Sequence, residues 1–333
     1  MSVPETVPAR SRRGWARWVR LGISGVLLAV LITKIPGTEL VPSDRSLPGT
    51  IGFLVGGVVL MAVSFILASW RWQRVLAVFD VHIGLRRLLS HYLAGQFVGN
   101  VLPSTVGGDV LRISRSSKDT GSSEIAFAAV VLERMTGFVA LPLLALLGFI
   151  IRPDLLEVGR AWIAIVIALA TVVMLAVLLM LAGSDRLAGR FKDHENWMRY
   201  IGAIHVGVDR LRRDQRDAAA ALIAAIAYQF SVVASVYCAV HAIGLPIPNA
   251  AVLAFVPAVA MAQVVPISVG GLGVREGLLA LLLHPMGVPT GQAVAVGLLW
   301  YTMTLVVSLA GAPAFAIGHR QPSGHPAPAA GEA

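Results

Sequence analysis

The residues best suited to chemistry lie in two stretches of matching pattern and in one charged pair. Val98 to Arg112 reads VGNVLPSTVGGDVLR, and Met261 to Arg275, 163 residues further on, reads MAQVVPISVGGLGVR. Set without gaps, six of the fifteen positions are identical, and an amide residue stands three before the proline in both. Asn100 thus matches Gln263, Pro103 matches Pro266, Thr105 matches Ser268, Gly107 and Gly108 match Gly270 and Gly271, and Arg112 matches Arg275. Asp109 and Glu276 place an acid close to each arginine. Proline removes a helix hydrogen bond, and paired glycines let backbone approach backbone or ligand closely. Amide and hydroxyl side chains can satisfy the freed groups, and an arginine can grip a phosphate or another anion through two parallel bonds. The plainer reading is that each motif kinks a helix and packs it closely on a neighbour.

The charged pair is Glu133-Arg134, which interrupts an otherwise apolar run from Ile125 to Ile151. At ~1.5 Å per residue Glu133 lies about 14 Å into a helix, near the middle of a hydrocarbon layer ~30 Å thick. An ionised group at that depth costs at least ~2.5 to 3.5 kcal/mol on insertion scales and needs a partner or a function. Adjacent helical residues point about 100° apart. Glu133 is therefore expected to meet Arg112 or Arg275, and Arg134 to meet Asp109 or Glu276. Such a network either holds the fold together or handles substrate and protons directly.

Other chemistries find no support in the residues. The eight histidines are scattered without metal-ligand spacing, and the single cysteine, Cys238, lies in an apolar run. No metal site and no cofactor are expected. There is no G-x-x-x-x-G-K-[ST] loop, only three lysines, and no D-x-D pair for a metal-bound nucleotide sugar. Trp70-Arg-Trp-Gln-Arg74 reads as an anchor at the inner membrane interface.

The elements that must position these motifs are membrane helices. Hydrophobic residues make up 56% of the chain and charged residues only 14%. Residues 46 to 70, 161 to 184 and 218 to 274 carry no Asp, Glu, Lys or Arg, runs as long as or longer than the roughly 20 residues a spanning helix needs. Leu21 to Ile35, Ile125 to Ile151 and Gln292 to Gly318 complete a plan of six spans. The net charge of +9 is parcelled between the spans rather than gathered in a nucleic-acid-binding patch. With the N-terminus in the cytoplasm, 21 of the 27 basic residues fall on cytoplasmic segments, as the positive-inside rule requires. The pattern predicts an all-α polytopic membrane protein of bacterial inner-membrane type, both termini cytoplasmic. Residues 1–16 form a basic N-terminus, 17–318 the membrane domain and 319–333 a disordered tail.

Two stretches, about 85–112 and 251–283, fit this plan as re-entrant hairpins entered from opposite faces, or as pairs of short tilted helices. Opposed copies of one motif are the pattern of inverted-repeat transporters, whose broken helices meet near the bilayer midplane. Residues 185–217, with mixed charge around Trp197, Met198, Ile201 and Ile204, are expected to lie as a helix on the cytoplasmic membrane surface.

N-x-x-P-x-x-V-G-G-D-x-x-R (100 to 112), E-R-x-T-G (133 to 137) and P-x-x-V-G-G-L-G-x-R-E (266 to 276), in this order, resemble the lysylphosphatidylglycerol synthase transmembrane, or flippase-like, family from about residue 15 to 318. The resemblance implies a lipid-translocating fold with two re-entrant elements. It also implies that Asn100, Pro103, Gly107, Gly108, Asp109, Arg112, Glu133, Arg134, Pro266, Gly270, Gly271 and Glu276 are core motif positions. Members that aminoacylate phosphatidylglycerol carry an added synthetase domain, which has no counterpart here, so no enzyme is expected. The expectation is a flippase-like translocator of a polar or anionic lipid, with Arg112 and Arg275 holding the headgroup and Asp109, Glu133 and Glu276 balancing charge. Its cargo would be a phospholipid, a hopanoid or a lipid-linked glycan, and its further partners lipid-modifying enzymes or a second copy of the chain. The competing expectation is a membrane-embedded transferase, or a scaffold subunit for lipid or lipid-linked sugar modification.

Overall fold

The computed structural model describes residues 47–101, 107–182, 195–264 and 271–317, and all regular structure in them is helical. The expected first span, the basic N-terminus, the tail, residues 185–194, and Pro103, Thr105, Pro266, Ser268 and Gly270 lie outside the described residues.

Five described helices are long and apolar enough to cross a membrane. They are α1 (Leu47–Ala77), α4 (Ser123–Ile151), α5 (Ala161–Ala182), α7 (Gln215–Ile243) and α10 (Thr290–Leu309). The protein is a polytopic α-helical membrane protein. In lipid a helix satisfies its own backbone, so the charge-free runs settle into this form without further instruction. Helix ends are fixed locally: the Ser122 hydroxyl accepts the Ile125 N–H (3.2 Å) at the start of α4, and Gly244, with φ of 87°, closes α7.

α1 and α7 form the central pair. Ser231 Oγ donates to the Leu60 carbonyl and Ser235 Oγ to the Gly57 carbonyl, each at 2.8 Å. Gly57 leaves room for the Met303 side chain of α10, whose terminal carbon would lie 2.6 Å from an added Cβ. Small residues and hydroxyls thus stand where lipid-solvated helices need packing and hydrogen bonds rather than hydrophobicity to associate. α5, by contrast, turns Val166, Leu169, Val173 and Val177 outward as an apolar, exposed face, which suits contact with acyl chains.

Between these spans stand four shorter helices, α2 (Leu85–Val101), α3 (Gly107–Thr120), α8 (Asn249–Ala262) and α9 (Val274–Leu283). With 17, 14, 14 and 10 residues, none reaches the roughly 20 needed to cross the hydrocarbon core. α2 and α3 pack against each other, as do α8 and α9.

Two boundaries differ from the sequence expectation. The helix expected to run on to residue 217 breaks earlier: α6 (Glu195–Arg213) ends where the Asp214 carboxylate accepts the Arg216 and Asp217 N–H groups, at 2.9 and 3.2 Å, and starts α7. α6 packs on α4, with Tyr200 edge-on to Phe127 at 5.4 Å. The last span ends at Leu309, not Gly318, and a short α11 (Gly311–Ile317) follows. Gly311 presses on the α2 backbone at Leu93, where no side chain would fit, and Pro313 cannot continue a hydrogen-bonded ladder from α10.

Candidate functional site

The site is assembled where α2 crosses α3. A Cβ on Gly108 would stand 2.5 Å from the Gly95 carbonyl oxygen, and one on Gly95 would meet the Arg112 side chain at 2.7 Å. Only glycine at both positions allows this approach. One turn beyond the crossing, α3 delivers Arg112 into the protein interior, where it is 5% exposed. Its guanidinium lies between the rings of Trp72 (4.3 Å) and Tyr92 (4.8 Å), whose π faces offset part of the cost of removing the cation from water.

Arg112 Nη2 donates to Glu133 Oε2 at 3.2 Å, and Arg71 Nη2 donates to Glu133 Oε1. Glu133 is 1% exposed, so its charge is matched within a fully buried arginine–glutamate–arginine triad. Arg134 turns the other way and bonds Asp109, whose carboxylate also lies 3.6 Å from Arg112. Of the two alternatives for each member of the pair, the geometry takes Arg112 for Glu133 and Asp109 for Arg134. Arg275 instead pairs with its own neighbour: its Nε and Nη2 donate to Glu276 Oε1 at 3.0 and 2.6 Å. Glu276 Oε2 accepts the Gly273 N–H at 2.6 Å and so caps the start of α9.

The expectation of an interfacial anchor at Trp70 to Arg74 is corrected. Arg71 and Trp72 are buried, 5% and 0% exposed. α1 runs on to Ala77, and that draws Arg71 inward to Glu133 and to the Tyr228 ring at 4.7 Å.

A cavity of about 290 Å³ opens beside this network. Arg71 and Arg134 line it from one side, Asn100 from the end of α2, and Gln263 and Arg275 from α8 and α9. Tyr301 of α10 also lines it and donates to the Asn100 carbonyl at 3.3 Å. The matched amides of the two motif copies therefore meet one space. Gly271, at φ of 75°, lies against the Gln263 side chain, whose Cγ would be 2.9 Å from a Cβ there. Arg112, Asp109, Glu133 and Glu276 do not line the cavity but stand behind it. Among the described residues no group of three or more His, Cys, Asp or Glu could hold a metal ion.

Residues 17–311 match the family model described as the lysylphosphatidylglycerol synthase TM region. The chain belongs to this family. Two relatives, both described as UPF0104 membrane proteins of Methanothermobacter thermautotrophicus, are similar along most of their length. One is 25% identical over 277 residues, covering 75% of this chain and 79% of the relative. The other is 26% identical over 299 residues, covering 82% and 86%. No solved structure matches the chain. The match to the family model takes in all sixteen motif positions named from the sequence, and Arg71 besides.

Proposed function

We propose that the chain is a lipid translocase of flippase type, which passes a polar or anionic headgroup through the central cavity while the acyl chains remain in lipid. The observation that carries this reading is the shared lining: Asn100 from the first motif and Gln263 and Arg275 from the second face one polar space among membrane helices. A polar cavity among membrane helices is costly unless something polar uses it. The short pairs α2/α3 and α8/α9 are read as re-entrant elements arriving from opposite faces, an inverted repeat whose two copies alternate in closing the cavity. The name of the family ties it to a phospholipid, which favours lipid as cargo. The membrane would be the inner membrane, with both termini cytoplasmic, and the driving force a lipid or ion gradient rather than a chemical reaction in the chain.

The test is reconstitution of the purified full chain in liposomes carrying trace lipids labelled on an acyl chain. Translocation is read by quenching of the outer leaflet. The expected result is movement faster than in protein-free vesicles, slowed by Gln263→Leu. Absence of movement for every polar lipid class of the native membrane would remove the translocase reading and favour a scaffold for lipid-modifying enzymes.

A further inference from the structure

We infer that the cavity selects a headgroup carrying a single negative charge, of the phosphodiester type, and that Arg71 is the residue that holds it. This rests on the translocase reading for its lipid, but on side-chain geometry for its charge.

The charge balance is uneven. Three cations, Arg71, Arg112 and Arg134, share two anions, Glu133 and Asp109. Arg275 and Glu276 cancel each other. Among the described residues one positive charge is left over in this network, where Arg71 and Arg112 are 5% exposed and the Arg134 side chain is half exposed beside the cavity. A surplus cation in a partly buried network favours an anion supplied from outside. The lining repeats the imbalance: among the described residues three arginines and no carboxylate face the cavity, because Glu133, Asp109 and Glu276 stand behind it.

The hydrogen bonds are uneven in the same place. Arg71 uses Nη2 for Glu133, while its buried Nε and Nη1 have no acceptor among the described residues, and neither has Asn100 Nδ2. Gly137, which also lines the cavity, packs directly against the buried Nη1, where a Cβ would stand 2.9 Å away. Buried donors without acceptors are rare in folded proteins and mark an absent partner. A phosphodiester supplies one negative charge and two acceptor oxygens, which answers both deficits. A zwitterion such as phosphocholine brings a cation of its own beside the lining arginines Arg71, Arg134 and Arg275.

Arg112, expected from the sequence to grip the headgroup, bonds Glu133, lies between the Trp72 and Tyr92 rings, leaves only Nε without an acceptor among the described residues, and does not line the cavity. It positions the triad. Arg71 has the free edge.

The test is binding, measured apart from transport, by thermal stabilisation of the full chain in a neutral detergent. Dihexanoyl phosphatidylglycerol is expected to bind roughly ten- to hundred-fold more tightly than dihexanoyl phosphatidylcholine, the range of one charge-assisted hydrogen bond. Arg71→Gln should abolish that preference. If Arg71→Gln does not fold, Gly137→Ala keeps all three charged side chains, crowds a methyl against Nη1, and should weaken phosphatidylglycerol binding about ten-fold. Arg152→Gln, in a loop outside the site, serves as the unaffected control. Equal binding of the two lipids, or a Gly137→Ala protein that binds normally, overturns the inference. Glycerophosphoglycerol or inorganic phosphate binding as tightly as the lipid overturns the lipid assignment. Vesicles that move every headgroup alike leave the translocase reading standing and this one fallen. Selective, Arg71-dependent binding without movement does the reverse.

Discussion

Gly95 and Gly108 face each other across the α2/α3 crossing so closely that a methyl on Gly108 would reach within 2.5 Å of the Gly95 carbonyl oxygen. Overpacking of this kind typically costs about 1 to 3 kcal/mol, and here it would also withdraw Arg112 from Glu133. Gly108→Ala should therefore lower the melting temperature of the detergent-solubilised protein by several degrees. Gly52, where an added Cβ meets nothing within 4 Å, is the matched control and should tolerate alanine.

The buried triad predicts strong coupling between Arg112 and Glu133. Removing one partner leaves a charge without its match, a loss of about 3 to 5 kcal/mol. Glu133→Gln should be the most damaging single change in the network, because it strands both Arg71 and Arg112. A thermal-unfolding double-mutant cycle with Arg112→Gln should show the two changes to be far from additive. Additive losses would mean that the pair contributes no coupling.

Arg115 of α3 holds α11 in place. Its Nη1 and Nη2 donate to the carbonyls of Ala314 and Phe315, at 3.0 and 3.1 Å, and Phe97 meets Phe315 at 6.1 Å. Arg115→Ala should speed amide hydrogen exchange in residues 311–317 by at least ten-fold, as loss of a charged hydrogen bond worth ~1.5 to 3 kcal/mol would require. Exchange in α10 should be unchanged.

Beyond the end of α4, hydrogen bonds from Arg152 hold the Asp154 carboxyl below its ordinary range. A depressed folded value means that the pair stabilises the loop above the ordinary aspartate pKa of ~3.9 and loses that contribution as pH falls through the folded value. Carboxyl NMR should show Asp154 titrating lower than in Arg152→Gln.

Much of the architecture was legible because lipid imposes a simple grammar. The charge-free runs at 46–70, 161–184 and 218–274 become α1, α5 and α7 with α8, within a few residues. Arg71 was missed for a physical reason. A tryptophan–arginine cluster at the end of an apolar run looks interfacial, yet Val75-Leu76-Ala77-Val78-Phe79 follows with no helix breaker. That second apolar piece carries the helix on and moves the arginine inward. The choice of Arg112 over Arg275 for Glu133 was not legible, because it depends on the glycine contact between α2 and α3. The break after Leu309 is written partly in Pro313, but the approach of Gly311 to Leu93 spans more than 200 residues of sequence.

The shortness of α8 and α9 has an electrical consequence. At ~1.5 Å per residue, helices of 14 and 10 residues are about 21 and 15 Å long, against a hydrocarbon core of ~30 Å. Under the translocase reading, a polar cavity walled by such helices thins the insulating layer, and the membrane voltage falls over a shorter distance there. A singly charged headgroup in that gap is worth ~2.3 kcal/mol per 100 mV of potential across the full membrane. Under the translocase reading, an interior-negative potential pulls an anionic lipid outward, and the resting voltage of the cell then sets the direction of travel.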